Sequence, residues 1–102
     1  MLLVQGDVFL TKTHGIPQDA KKLNRTARGF VLAEGEATGH AHVIEDDIEL
    51  YERDGVLYVV TDRTVKLKHE EHHEITISQG TWQVGQVREY DAFDEQARYV
   101  AD

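Results

Sequence analysis

The sequence predicts an all-β domain. Short segments that alternate apolar with polar residues, or are rich in β-branched residues, recur about every ten residues, with glycine and acidic turn signals between them. Helical periodicity is scarce, and 102 residues is the size of one domain. We therefore predict a single domain over residues 1–102, a small barrel or sandwich of about eight short antiparallel strands. A jelly-roll arrangement fits this pattern.

Eight segments carry the strand pattern: residues 7–11, 29–33, 40–45, 48–53, 56–61, 64–68, 74–78 and 81–89. The fourth and fifth segments are separated by Asp54-Gly55, a dipeptide that suits a primed turn, so they predict a hairpin. A second tight reversal is predicted at residues 78–80, where Gly80 can supply a positive φ angle.

The two longest segments outside the predicted strands lie after the first strand and after the last one. Residues 12–28 contain the only proline, Pro17, and many polar residues, which predicts a long loop with one helical turn near residues 18–23. Residues 93–100 are compatible with a short helix or with a last strand, and the sequence leaves both open.

Composition excludes several classes of function. The chain has no cysteine, so disulfides and thiolate metal sites are excluded and a metal must be bound by nitrogen and oxygen. A net charge of −8 opposes phosphate binding, which argues against a nucleic-acid partner. No apolar run approaches about 18 residues and no basic leader precedes one, so we expect no membrane partner and a cytoplasmic location, in the host cytoplasm if the protein is encoded by a phage.

The histidines are the main candidates for functional residues in this chain. Five of the six histidines fall in two clusters, His40-Ala41-His42 and His69-Glu70-Glu71-His72-His73. Residues two apart in a strand point to the same face with Cα atoms about 6.5 Å apart. The first cluster therefore has the spacing of a chelating pair.

The second cluster matches the zinc-protease pattern H-E-x-x-H, which on a helix would place His69 and His73 on one face with Glu70 as base. The flanking segments, residues 64–68 and 74–78, alternate as strands do and leave too little chain for such a helix. We therefore favour the strand interpretation. A bulge or tight reversal within residues 70–73 would then let His72 approach the same region as His69.

These patterns predict a metal site whose ligands are His40, His42, His69 and His72. Three glutamates are candidate partners of these ligands or a candidate base: Glu36, Glu70 and Glu71. The spacing alone leaves open whether His72 or His73 is the ligand. Imidazole ligands suit zinc first, then iron, nickel, copper or manganese. The alternative is a metal-free polar patch or a pH-sensitive interface.

Four blocks of the chain resemble a family of small uncharacterised bacterial and phage proteins. They are Gln5-Gly6-Asp7-Val8, Gly35-Glu36-Ala37-Thr38-Gly39-His40-Ala41-His42, His69-Glu70-Glu71-His72 and Gln86-Val87-Arg88-Glu89-Tyr90. The family has no assigned activity. Its pattern requires the four histidines chosen above and does not require His73, so the resemblance implies that His72 is the ligand.

A weaker resemblance is to the first metal motif of cupins. Gly35, His40, His42 and a glutamate at position 45 or 49 are similar to that motif. The order then departs from the cupin pattern, because His69 and His72 precede Gly80 and no histidine follows it. The resemblance implies a similar metal chemistry, either on a cupin-like fold or on a different barrel.

Three functions are compatible with these observations. The first is a transition-metal-binding protein, and the second is a small metal-dependent enzyme, such as a hydrolase. The third is a metal-free interaction or phage structural module that forms a homo-oligomer. The sequence identifies no small-molecule ligand and does not decide whether the protein is an enzyme.

Overall fold

The computed structural model describes residues 1–35 and 39–87, which form ten short strands and, within these ranges, no helix. The strands are β1 (Leu2–Gln5), β2 (Val8–Thr13), β3 (Lys21–Leu23), β4 (Phe30–Glu34), β5 (Ala41–Ile44), β6 (Glu49–Arg53), β7 (Val56–Thr61), β8 (Val65–Lys68), β9 (Ile75–Ile77) and β10 (Gly80–Gln86). The predicted all-β class is confirmed. In the part of the chain that the structure describes, the strands form two antiparallel sheets that resemble a sandwich and do not close into a barrel.

The two sheets differ in size. The larger has the order β1-β2-β10-β7-β6-β3, and the smaller has the order β4-β5-β8-β9. The predicted hairpin is confirmed as β6 and β7, which pair from Glu49 opposite Val60 to Arg53 opposite Val56. Its turn places Asp54 at φ 53° and Gly55 at φ 82°, as a primed turn with two left-handed central residues requires.

The core lies between the sheets and follows the strand alternation. In β8, Val65 and Leu67 are buried while the lysines between and after them are exposed. Trp82 of β10 is fully buried, and its indole N–H donates to the Ser78 carbonyl at 2.9 Å. Both sheets thus turn one apolar face inward, as a two-layer β structure requires.

Two edge elements differ from the prediction. The prediction of a helical turn at residues 18–23 is wrong. The amide of Ala20 donates to the Pro17 carbonyl in a single backbone turn, and the chain then enters β3. β3 pairs with the hairpin strand β6, which satisfies its backbone groups through the sheet. β1 was not predicted, because Leu2 and Val4 on it remain exposed and leave no clear inside-outside alternation.

The reversal predicted at residues 78–80 is present, and Gly80 has a φ of 135°. It does not make a hairpin, because β9 belongs to the smaller sheet and β10 to the larger one. Glu36, the end of the predicted strand 81–89 and residues 93–100 lie outside the described residues. Within the described ranges, no helix is long and apolar enough to span a bilayer.

Candidate metal centre

His42 is the buried member of the site. It lies in β5, all four residues of which are buried, and the side chain of His42 is about 1% exposed. Its Nδ1 atom lies 2.9 Å from Oε1 of Gln5, a residue of β1 in the opposite sheet. The imidazole is therefore held between the two sheets rather than on the surface.

The connection between β8 and β9 brings two more imidazoles to His42. These strands form a hairpin whose loop carries the second histidine cluster, so the H-E-x-x-H segment is not helical. The ring centroids of His42 and His69 are 4.3 Å apart, those of His69 and His72 are 4.6 Å apart, and those of His42 and His72 are 6.0 Å apart. The chain thus reverses between β8 and β9, and the loop brings His72 beside the other two rings.

The three rings line a cleft of about 280 Å³. Its lining residues are Gly6, Asp7, Gly35, His42, His69, Glu71 and His72. A Cβ atom added to Gly6 would lie 2.5 Å from Nε2 of His72, and one added to Gly35 would lie 2.9 Å from Nε2 of His69. The two glycines therefore leave the space that these ring nitrogens occupy.

His40 lies at the margin of this group. Its ring is edge-on to that of His69 with centroids 5.9 Å apart. Its Nδ1 atom is buried and has no hydrogen-bond partner among residues 1–35 and 39–87, although Oε2 of Glu71 lies 3.5 Å away. That distance allows an electrostatic contact but is long for a hydrogen bond. His40 is therefore near the cleft without lining it.

The two described glutamates of the second cluster have different positions. Glu70 accepts a hydrogen bond from the backbone N–H of Ala41 at 3.0 Å, and this bond is the main cause that lowers the pKa of Glu70. It ties the loop to the start of β5. Glu71 lies in the cleft lining. His73 and His14 are both exposed, and only the backbone carbonyl of His73 contacts the network around Gln5.

Two residues of the site, Gln5 and Asp7, were not in the predicted set. Oδ1 of Asp7 lies 3.2 Å from Nε2 of His42, and Oδ2 of Asp7 accepts a hydrogen bond from Nε2 of Gln86 at 2.9 Å. Both residues fall in the first block of the family resemblance, Gln5-Gly6-Asp7-Val8, which was the available signal. The distance along the chain between that block and the histidines, and the residue types in the block, did not indicate that they belong to one site.

The electrostatics of the His42 and Asp7 pair favour a neutral ring and an ionised carboxyl. Burial lowers the pKa of His42, and the neighbouring His69 lowers it further, against an opposing effect of Asp7. Burial raises the pKa of Asp7, but the hydrogen bond from Gln86, the backbone hydrogen bond and His42 together outweigh it, so the pKa of Asp7 is lowered. The pair therefore combines a lone-pair nitrogen with a negative oxygen near neutral pH.

The donor atoms do not yet converge on one point. No three His, Asp or Glu side chains within residues 1–35 and 39–87 have their donor atoms arranged to hold a metal ion as they stand. One reason is that Nδ1 of His69 accepts the backbone N–H of Glu71 at 3.0 Å, which in the neutral ring places the proton on Nε2. This ring would have to exchange that bond before either nitrogen could bind a metal.

These features define a small two-sheet β domain with an imidazole-lined cleft where one edge strand of the larger sheet meets the smaller sheet. The chain belongs to the family described as Domain of unknown function (DUF8820), whose model matches residues 4–87. That range includes the cleft and all four predicted histidine ligands. No curated protein and no solved structure matches the chain.

Proposed function

We propose that the protein binds one divalent transition-metal ion, with zinc preferred, through the histidines of its two clusters. The observation that carries the proposal is the grouping of three imidazoles. The ring centroid of His69 lies 4.3 Å from that of His42 and 4.6 Å from that of His72, and the centroids of His42 and His72 are 6.0 Å apart. Two imidazoles bound to one tetrahedral zinc at about 2.0–2.1 Å have centroids roughly 5 Å apart. The observed separations bracket that value.

The proposal requires the loop imidazoles to move toward His42, because the donor atoms of the described residues do not form a metal site as they stand. His72 is exposed and His69 is half-buried, whereas His42 is buried. Rotation of His69 breaks its bond with the amide of Glu71 and frees a nitrogen for the ion. His40, whose ring centroid lies 5.9 Å from that of His69, would join as a fourth nitrogen donor or pair with Glu71 beside the site.

The cleft itself is small for a site that acts on an organic substrate. Its volume of about 280 Å³ lies just below the roughly 300–1,000 Å³ typical of small-molecule sites. A larger depression of about 460 Å³ shares His69 with the cleft and is also lined by residues such as Arg28, Lys68 and Glu70. Because the three grouped imidazoles line the smaller cleft, we propose binding of a metal ion as the function and propose no reaction.

The direct test is elemental analysis of tag-free protein purified without a metal column, before and after incubation with zinc and desalting. We expect about one zinc ion per chain, because three to four imidazole donors complete a single zinc site. His69→Ala and His72→Ala should each lose most of the bound zinc. His14→Ala, which removes an exposed imidazole from a distant loop, should retain it. Wild-type protein that stays metal-free would contradict the proposal and favour the metal-free interaction module.

A further inference from the structure

The orientation of the Gln5 side-chain amide is determined by its partners. Its Nε2 atom donates to two backbone carbonyls, that of Leu67 at 2.8 Å and that of His73 at 2.9 Å. Carbonyl oxygens only accept hydrogen bonds, so the NH2 group must face them and Oε1 must face His42. Gln5 is about 2% exposed, which leaves little room for water to change this arrangement.

This orientation determines the proton position on His42. Oε1 of Gln5 lies 2.9 Å from Nδ1 of His42 and can only accept, so Nδ1 must carry a proton. In the neutral ring, Nε2 then carries the lone pair. That lone pair is directed at Oδ1 of Asp7, 3.2 Å away.

When the ring is neutral and the carboxyl is ionised, the contact between His42 and Asp7 therefore joins two acceptors. The other side-chain oxygen of Asp7 accepts a hydrogen bond from Gln86, and its backbone carbonyl accepts the amide N–H of Val87 at 2.8 Å. Two acceptors at 3.2 Å need a positive charge between them, which either a second proton on His42 or a metal ion supplies. Two ligand atoms of a tetrahedral zinc, each about 2.0–2.1 Å from the ion, are themselves about 3.3 Å apart.

We infer that Asp7 is an oxygen ligand of the proposed metal, paired with Nε2 of His42, and that Gln5 is the positioning residue that keeps this nitrogen free to bind. The inference rests on the proposed function and extends its ligand set from nitrogen alone to nitrogen plus carboxylate. Such a mixed set suits divalent zinc, iron, cobalt or manganese and is a poor match for copper(I), which prefers sulfur ligands.

Zinc affinity measured by competition with a chromogenic chelator tests the carboxylate. Asp7→Asn keeps the size of the side chain and removes its charge, and we expect it to weaken zinc binding by about 100-fold or more, above the loss typical of residues that only support a ligand. The matched control is Asp47→Asn, the same change at an exposed position between β5 and β6, which should leave the affinity unchanged.

Nitrogen NMR of the histidine rings tests the role of Gln5. In wild-type protein with chelator at neutral pH, His42 should be protonated at Nδ1 and not at Nε2, and zinc should shift the Nε2 resonance. Gln5→Met should lose this tautomer preference and weaken zinc binding by about 10- to 100-fold. Gln83→Met, the same change at an exposed position on β10, should do neither.

The outcomes separate the two proposals. Wild-type protein that binds no zinc overturns both. Equal zinc affinity of wild type and Asp7→Asn overturns the inference and leaves the proposed function standing. A His42 ring that is protonated at Nε2 at neutral pH has the same meaning. If Asp7→Asn does not fold, the test is made on wild-type protein by following the carbon resonance of the Asp7 side-chain carboxyl during zinc addition. An unchanged resonance overturns the inference.

Discussion

Oε1 of Gln5 accepts a hydrogen bond from Nδ1 of His42 at 2.9 Å and thereby joins β1, at the edge of the larger sheet, to β5 within the smaller sheet. The same glutamine donates to the carbonyls of Leu67 and His73. One side chain therefore satisfies buried polar groups of β5, β8 and the histidine-bearing loop. This link holds the edge of the sandwich together at the point where the cleft forms.

Loss of this link should destabilise the fold. We expect Gln5→Met to lower the free energy of unfolding by about 2–4 kcal/mol, because it leaves the buried Nδ1 of His42 and two carbonyls without partners. Urea denaturation of the metal-free protein measures this. The control, Gln83→Met on the exposed face of β10, should stay within about 0.5 kcal/mol of wild type. A change of only about 0.5 kcal/mol in Gln5→Met would contradict the hydrogen bonds assigned to the Gln5 side chain.

Stability of the metal-free protein should depend on pH with a defined sign. The pKa of His42 is lowered on folding, so below the ordinary histidine value of about 6.5 the unfolded chain binds a proton that the folded chain does not. Stability is then fully present above about pH 6.5 and is lost as pH falls from there through the lower pKa of the folded state. The lowered pKa of Asp7 acts in the same direction at more acidic pH.

Denaturation curves with chelator at pH 7.5, 6.5 and 5.5 measure this dependence, and an NMR titration of the His42 ring gives its midpoint. The His14→Ala variant should retain the wild-type pH slope, whereas His42→Gln should flatten it across this range. A His42 midpoint above about 6.5 would show that the neighbouring carboxylate outweighs burial and would reverse the predicted sign.

A side chain at position 6 should disturb both the turn and the cleft. Gly6 has a φ of 58°, and a Cβ there would meet Nε2 of His72 at 2.5 Å. We expect Gly6→Ala to cost about 1–2 kcal/mol of stability through the left-handed backbone and to weaken zinc binding by displacing the His72 ring. Thermal unfolding and chelator competition measure the two effects.

Gly15→Ala is the matched control for this change, because a Cβ at position 15 meets no atom of the described residues within 4 Å. It should change the free energy of unfolding by no more than about 0.5 kcal/mol and leave the zinc affinity unchanged. Zinc binding by Gly6→Ala at wild-type strength would argue that His72 is not a ligand.

Metal binding should release the backbone amide of Glu71. In the structure this N–H donates to Nδ1 of His69 at 3.0 Å, a bond that a metal-binding His69 must give up. We therefore expect zinc to shift the Glu71 amide resonance and to raise its exchange rate with solvent, while the amides of β6 and β7 stay unchanged. Glu71 exchange that slows or stays constant with zinc bound would indicate that His69 does not change its partner.

Much of the strand layout could be predicted from local patterns. The β6–β7 hairpin was predicted because Asp54-Gly55 between two alternating segments specifies both the turn and the pairing. β3 was missed because three residues carry almost no periodicity, and its strand conformation depends on pairing with β6. Similarly, β9 and β10 follow each other closely but enter different sheets, which a turn signal cannot reveal.

The all-β class, the main strand positions and the concentration of histidines in two segments follow from local sequence patterns, because alternation, turn chemistry and residue type act over a few neighbouring positions. The packing of the two sheets, in contrast, brings Asp7 to His42 from 35 residues away and lets Gln5 orient the His42 ring. Such contacts depend on how two sheets pack and on which edges meet. That information is carried by the whole core rather than by any local pattern.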